Sequence, residues 1–213
     1  MATKKIFWED PYLTQLDAKV SSINENIVTL NQTILYAFSG GQESDQGTIE
    51  EYTVLEANKV GKEIYYTLND NHTLKENQSV KVVLDWERRY RLMRLHFAAE
   101  LILELVYQNY DHPEKIGAHI SAEKARVDFY WDGNISSIFP NLMSKLNEII
   151  AADYPILSEF EEYENERRTW EIVGFAKVSC GGTHLKSTSE VGSILLKRVN
   201  IGGGKEKIEI TLQ

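Results

Sequence analysis

Apolar side chains recur along this chain in two rhythms. Up to about residue 83, β-branched and aromatic residues gather in short runs: Leu13 to Val20, Ser22 to Leu30, Thr33 to Phe38, Thr48 to Glu56 and Lys62 to Leu68, closed by Val80 to Leu84. Turn-forming clusters separate them, among them Asn24-Glu25-Asn26, Ser39-Gly40-Gly41 and Asn69-Asp70-Asn71. Short strands at this spacing predict a small barrel or sandwich. From Trp86 to Asn109 the rhythm changes. Met93, Phe97, Leu101 and Leu105 step by four, a buried helical stripe, behind Asp85 as N-cap and Glu87 in the first turn. A second helix is expected from about Ile138 to Ala152, stopped before Pro155. Strands are expected at Gly117 to Ser121, Ala125 to Trp131, Ile156 to Tyr163, Thr169 to Val173, Phe175 to Val178, Gly192 to Asn200 and Lys205 to Leu212. The expected fold is therefore α+β: a small N-terminal β-barrel over 1–85, then a domain over 86–213 with an antiparallel sheet backed by two helices.

Composition narrows the class. The 213 residues, 42% hydrophobic and 26% charged, suit one or two globular domains with a real core. The first residues lack the pattern of a secretory signal. The most apolar window, Phe97 to Val106, is interrupted by Glu100 and Glu104 and is too short to span a bilayer. A single Cys permits no intramolecular disulfide and fits a reducing compartment, so a cytoplasmic protein without membrane contact is expected. The net charge of −9 argues against general, sequence-blind nucleic-acid binding. It leaves room for a local basic patch. Arg88, Arg89, Arg91 and Arg94 form one candidate cluster, and Lys197, Arg198, Lys205 and Lys207 another. A solvated face explains either equally well.

The candidate chemistry sits in two places. Cys180-Gly181-Gly182-Thr183-His184 sets a thiol and an imidazole around a Gly-Gly turn, and His96 and Glu100 lie one turn apart on the first helix. Four such side chains can surround one tetrahedral ion, and zinc takes Cys, His and carboxylate together. The plain alternative is a small buried Cys and a chance helical pair. His72, His112 and His119 have no ligand partner at useful spacing. Gly202-Gly203-Gly204-Lys205 opens no helix and reads as a hairpin turn, and no phosphate-binding Gly loop is present.

Three stretches taken together resemble a known family. They are Asn31 to Gly47 with Gly40-Gly41-Gln42, then Asp85-Trp86-Glu87-Arg88-Arg89 running into His96 and Glu100, and last Cys180-Gly181-Gly182-Thr183-His184-Leu185 with Thr188 and Glu190-Val191-Gly192. The chain resembles the AlaX family, free-standing relatives of the alanyl-tRNA synthetase editing domain, over nearly its whole length. The resemblance implies one zinc ion per chain and hydrolysis of alanine-specific tRNA mischarged with serine, and in some members glycine. Its partner is then the acceptor end of tRNA(Ala). The implied metal ligands are His96, Glu100, Cys180 and His184, with Glu100 standing where the family has a second histidine. Three outcomes are open for that carboxylate. It ligates the ion, or it stands off and deprotonates a water, or the metal is lost with the activity.

Thr33 falls at the position of a threonine the family keeps, and is the candidate sensor of the serine hydroxyl; a solvent-facing strand threonine is the alternative. Gln42 is a candidate contact to substrate or acceptor end, or else caps a turn. Gly181 and Gly182 offer backbone N–H groups to a developing oxyanion, or merely turn the chain. Arg88, Arg89, Arg91 and Arg94 are the candidate tRNA contacts. A degenerate member that binds tRNA or a partner without hydrolysis is the competing function. A release-factor-like use of Gly40-Gly41-Gln42 ranks last. Without a nucleotide-binding domain, ligation is not expected of this chain alone.

Overall fold

The structure, a computed structural model, describes residues 2–213. The chain forms two compact units, residues 1–90 and residues 91–213.

The first unit holds β1 (Lys4–Lys5), β2 (Gln15–Asn24), β3 (Ile27–Leu30), β4 (Gln32–Thr33), β5 (Gly47–Ile49), β6 (Tyr52–Thr53), β7 (Glu56–Val60), β8 (Glu63–Thr67) and β9 (Ser79–Leu84). Seven strands join in the order β6-β5-β9-β2-β3-β8-β7, each neighbouring pair antiparallel. A flat sheet of that order would hold its ends about 29 Å apart at the usual strand spacing. Yet only Val54 and Leu55 separate β6 from β7, a reach of about 10 Å. The sheet must therefore curl on itself. It forms a curled half-barrel; among the described residues no ladder pairs β6 with β7 to close the ring that the sequence pattern leads one to expect.

One expected strand is absent for a physical reason. Thr33 to Phe38 is apolar enough for a strand, but pairing stops at Thr33. Beyond it the backbone is satisfied by side chains. Arg89 donates to Ile34 O at 2.7 Å, Tyr66 Oη donates to Leu35 O at 3.0 Å, and Asp45 Oδ2 accepts from Tyr36 N at 2.6 Å. Ile34, Leu35, Tyr36 and Ala37 are buried all the same. Burial without a ladder is tolerated because those polar groups have partners.

The helix α1 (Trp86–Asn109) starts where Asp85 Oδ1 accepts from Arg88 N at 3.1 Å, the expected N-cap. Past Arg91 it is buried on almost every side, not on one stripe: Leu92, Met93, Leu95, Phe97, Ala98, Leu101, Ile102 and Val106 are each 0% exposed. A helix surrounded by core can carry polar side chains inward only where they find partners, and that is where His96 and Glu100 lie.

The second unit continues with β10 (Lys115–Ile120), β11 (Ala125–Tyr130), α2 (Phe139–Ala152), β12 (Leu157–Glu162), β13 (Arg167–Ile172), β14 (Ala176–Ser179), β15 (Ile194–Gly202) and β16 (Lys205–Leu212). The single sheet expected here is two. β10-β11-β16-β15 form a four-stranded antiparallel sheet, and β12-β13-β14 a three-stranded one. Gly202, the last residue of β15, and Gly203 and Gly204 after it all have left-handed φ, so that triplet makes the hairpin turn read from the sequence. No helix of the described residues is long and apolar enough to cross a membrane.

Candidate metal centre

Three elements of the second unit bring the chemistry together. α1 supplies His96 and Glu100. Cys180 follows the last residue of β14, where its N–H donates to Arg168 O at 2.8 Å. His184 comes after the turn. The loop's far end is pinned by the capping box of Ser187 and Glu190. Thr188 reinforces it, donating to Ile149 O at 2.7 Å and accepting from Tyr154 N at 2.9 Å. The loop is thus held at both ends.

His96, Cys180 and His184 each present a ligand atom within 4.8 Å of the others. Cys180 Sγ lies 3.4 Å from His96 Nε2. The imidazoles of His96 and His184 are 5.4 Å apart at their centres, and Phe97 borders both His184 and Trp170 edge-on. His184 Nδ1 pairs with Ser158 Oγ at 3.0 Å, while His184 Nε2 is buried and has no hydrogen-bond partner. A buried ring nitrogen without a hydrogen-bond partner, beside a thiol and a second imidazole, is a donor suited to a metal ion. The donor set fits a tetrahedral ion such as zinc.

Glu100 is outside that group of three. Its Oε1 lies 3.2 Å from His96 Nε2, and its Oε2 accepts from Trp170 Nε1 at 3.2 Å. Burial opposes the carboxylate, but the His96 contact, then His184 and the indole N–H, hold its pKa down at about 2. Burial likewise opposes protonation of His96, yet the Cys180 sulfur and the Glu100 carboxylate hold its pKa up at about 10. Burial, followed by the charge on His96, pushes His184 well below the ordinary histidine value. His96 Nε2 thus faces both Cys180 Sγ and Glu100 Oε1, at 3.4 and 3.2 Å.

The Gly-Gly turn differs from the Gly-Gly of the first unit. Gly40 and Gly41 have φ of 60° and 89° in a tight hairpin closed by Ser39 and Gln42, a backbone shape that demands glycine. Gln42 there is 1% exposed. Gly181 is not left-handed, and a Cβ built on it meets nothing within 4 Å. Among the described residues nothing crowds a Cβ at that position. Gly182 is buried, its carbonyl accepting from Arg168 Nη1 at 3.3 Å.

Thr33 lies in the first unit at 0% exposure. Its Oγ1 accepts from Leu35 N at 3.1 Å and is 2.7 Å from Tyr66 Oη. The Tyr66 proton goes to Leu35 O, so Thr33 donates to Tyr66 and keeps one lone pair.

The structure separates the four arginines and corrects the reading of Arg89 alone. Arg89 is 0% exposed; its guanidinium pairs with Asp45 and donates to Pro11 O and Ile34 O, so its donors are spent holding the first unit together. Arg88 is paired with Glu43 at 2.7 Å. Arg91 and Arg94 donate to Ala122 O and Val191 O and retain exposure. Ser158, Arg168 and Trp170 were not singled out by sequence; the one signal was a Trp in a strand, whose N–H needs an acceptor when buried.

A family profile described as "tRNA synthetases class II (A)" matches residues 5–88. "Alanyl-tRNA editing protein AlaX-M" of Pyrococcus horikoshii is 31% identical over 99% of this chain and 98% of its own length. The protein of the same description from Saccharolobus solfataricus is 30% identical over 99% of each. "Alanine--tRNA ligase" of Ignicoccus hospitalis is 33% identical over 97% of this chain, which spans only 26% of that enzyme.

Proposed function

The chain belongs to the AlaX family of alanyl-tRNA editing proteins, and from that premise we propose that it is a zinc-dependent deacylase that hydrolyses Ser-tRNA(Ala) in trans. The observation that carries the reading is the convergence of His96, Cys180 and His184 within 4.8 Å beside Gly181, where added bulk on the glycine would meet only open space.

His96 and His184 through Nε2 and Cys180 through Sγ are the proposed zinc ligands. Three protein ligands characterise catalytic zinc sites. Bound there, zinc would polarise the ester carbonyl and lower the pKa of an attacking water. Glu100 is proposed to stand beside the ion, its carboxylate anionic and steered by Trp170, and to orient that water by accepting its hydrogen bond. Gly181 leaves room for the aminoacyl group, and the backbone N–H groups of Gly181 and Gly182 are the proposed donors to the oxyanion. Thr33 is proposed to read the serine hydroxyl through its remaining lone pair, and Gln42 to contact the acceptor end. Arg88, Arg91 and Arg94 are proposed phosphate contacts.

The test is hydrolysis of Ser-tRNA(Ala) and Ala-tRNA(Ala) by the purified protein. Preferential release of serine supports the reading; equal rates, or none, would reject it.

A further inference from the structure

The four-stranded sheet has one face in the core, and its other face carries charged side chains that are mostly part-exposed. Alternation along the strands assigns each residue to a face. Val127, Phe129, Ile208 and Ile210 are buried at 1% exposure or less. Their neighbours turn outward: His119 on β10 opposite Arg126 on β11, Arg126 opposite Glu209 on β16, and Glu209 opposite Lys197 on β15. One step along, Asp128 opposes Lys207, and Tyr130 opposes Lys205. Lys124, in the hairpin between β10 and β11, reaches over to Glu209 at 2.7 Å. Arg198, grouped with these lysines on sequence, points to the opposite face and pairs with buried Glu206.

The outward face and its hairpin thus gather Lys124, Arg126, Lys197, Lys205 and Lys207 against two strand acids, Asp128 and Glu209, and exposed Glu123 in the hairpin. Both strand acids are already engaged, Asp128 by Arg126 and Glu209 by Lys124. The Lys124 hydrogen bond first, then the charges of Lys124, Lys197 and Lys207, hold the Glu209 carboxyl below its ordinary value. Tyr130 is 44% exposed with the Lys205 ammonium 5.5 Å over its ring. On a chain of net charge −9, a cationic face of this kind is a local departure from the whole, and charge complementarity selects a polyanion.

We propose that this face is where the protein takes the sugar–phosphate backbone of tRNA, apart from the metal centre that handles the aminoacyl end. The lysines meet phosphates without reading sequence, and the Tyr130 ring offers a surface for a sugar or an unstacked base. An RNA is favoured over an acidic protein because a ring beside cations suits bases, and because the proposed reaction requires a tRNA. The inference rests on the deacylase reading only for which RNA binds.

The double variant Lys197→Glu/Lys207→Glu tests it, with Lys19→Glu/Lys75→Glu, two exposed reversals in the first unit, as the control of equal net charge. Binding of uncharged tRNA is measured against salt, and KM and kcat are measured on Ser-tRNA(Ala) and on a short serylated RNA ending in the acceptor nucleotides. The double variant should bind tRNA at least about tenfold more weakly and lose roughly one to two units of the log–log salt slope. Its kcat, and its rate on the short RNA, should match the parent. The Lys19→Glu/Lys75→Glu control should change neither affinity nor slope. Parental affinity and slope in the double variant would overturn the proposal, including any case where an acidic protein occupies the face instead. If the parent binds tRNA but hydrolyses no ester, the deacylase reading fails and the binding arm still decides this one.

Discussion

Trp170 Nε1 donates to Glu100 Oε2 at 3.2 Å while Glu100 Oε1 meets His96 Nε2 at the same distance. The carboxylate is thereby steered by an indole on β13 and a histidine one helical turn away. This suits a residue that positions a neighbour, so Glu100→Gln should separate two roles. If Glu100 stands beside the ion, the variant keeps about stoichiometric zinc and loses roughly 10–100-fold in deacylation. Loss of zinc on elemental analysis would make Glu100 a ligand in its own right.

Ser158 holds the ring of His184 through Nδ1 and so aims Nε2. Ser158→Ala should weaken zinc affinity by roughly 10–100-fold while leaving the fold intact. Competition with a chelator of known affinity reads this directly. Unchanged affinity would mean that the loop alone orients the imidazole.

Thr33→Val keeps the volume but removes an acceptor from Leu35 N and a donor from Tyr66. Stability should fall by about 1–3 kcal/mol in denaturant titration. Preference for Ser-tRNA(Ala) over Ala-tRNA(Ala) should shrink beyond any uniform loss of rate. Selectivity preserved in a destabilised protein would leave Thr33 with a structural task only.

Asp45→Asn breaks the fully buried pair with Arg89 and strands a guanidinium in the first unit. Such breaks cost about 3–5 kcal/mol. A change below about 1 kcal/mol would show that Pro11 O and Ile34 O suffice to hold the arginine.

The second half of the fold was largely legible because its signals were local: Asp85 capping α1, Gly202-Gly203-Gly204 turning β15 into β16, strict alternation along β16. Three parts of the fold were not. Thr33 to Phe38 reads as a strand because its partners, Arg89, Tyr66 and Asp45, are distant in sequence and act through side chains. The split of the second half into two sheets depends on which strands pair, which periodicity does not encode. The curl of the first sheet follows from the short link between β6 and β7, visible only once the strand order is known. At the site, Cys180, His184 and His96 were readable from residue type and spacing. Trp170 and Ser158 were not, since hydrogen bonding from a neighbouring strand leaves no mark in the local sequence. Arg89 shows the converse: four nearby arginines look like one surface patch until burial separates them.

The central claim is that His96, Cys180 and His184 hold a zinc ion that the ester hydrolysis needs. The most direct measurement is the metal content of protein purified without added metal, paired with Ser-tRNA(Ala) hydrolysis before chelation, after it, and after zinc is returned. About one zinc per chain, activity lost on chelation and regained with zinc is the expected result. Full activity in protein stripped of metal would contradict the account.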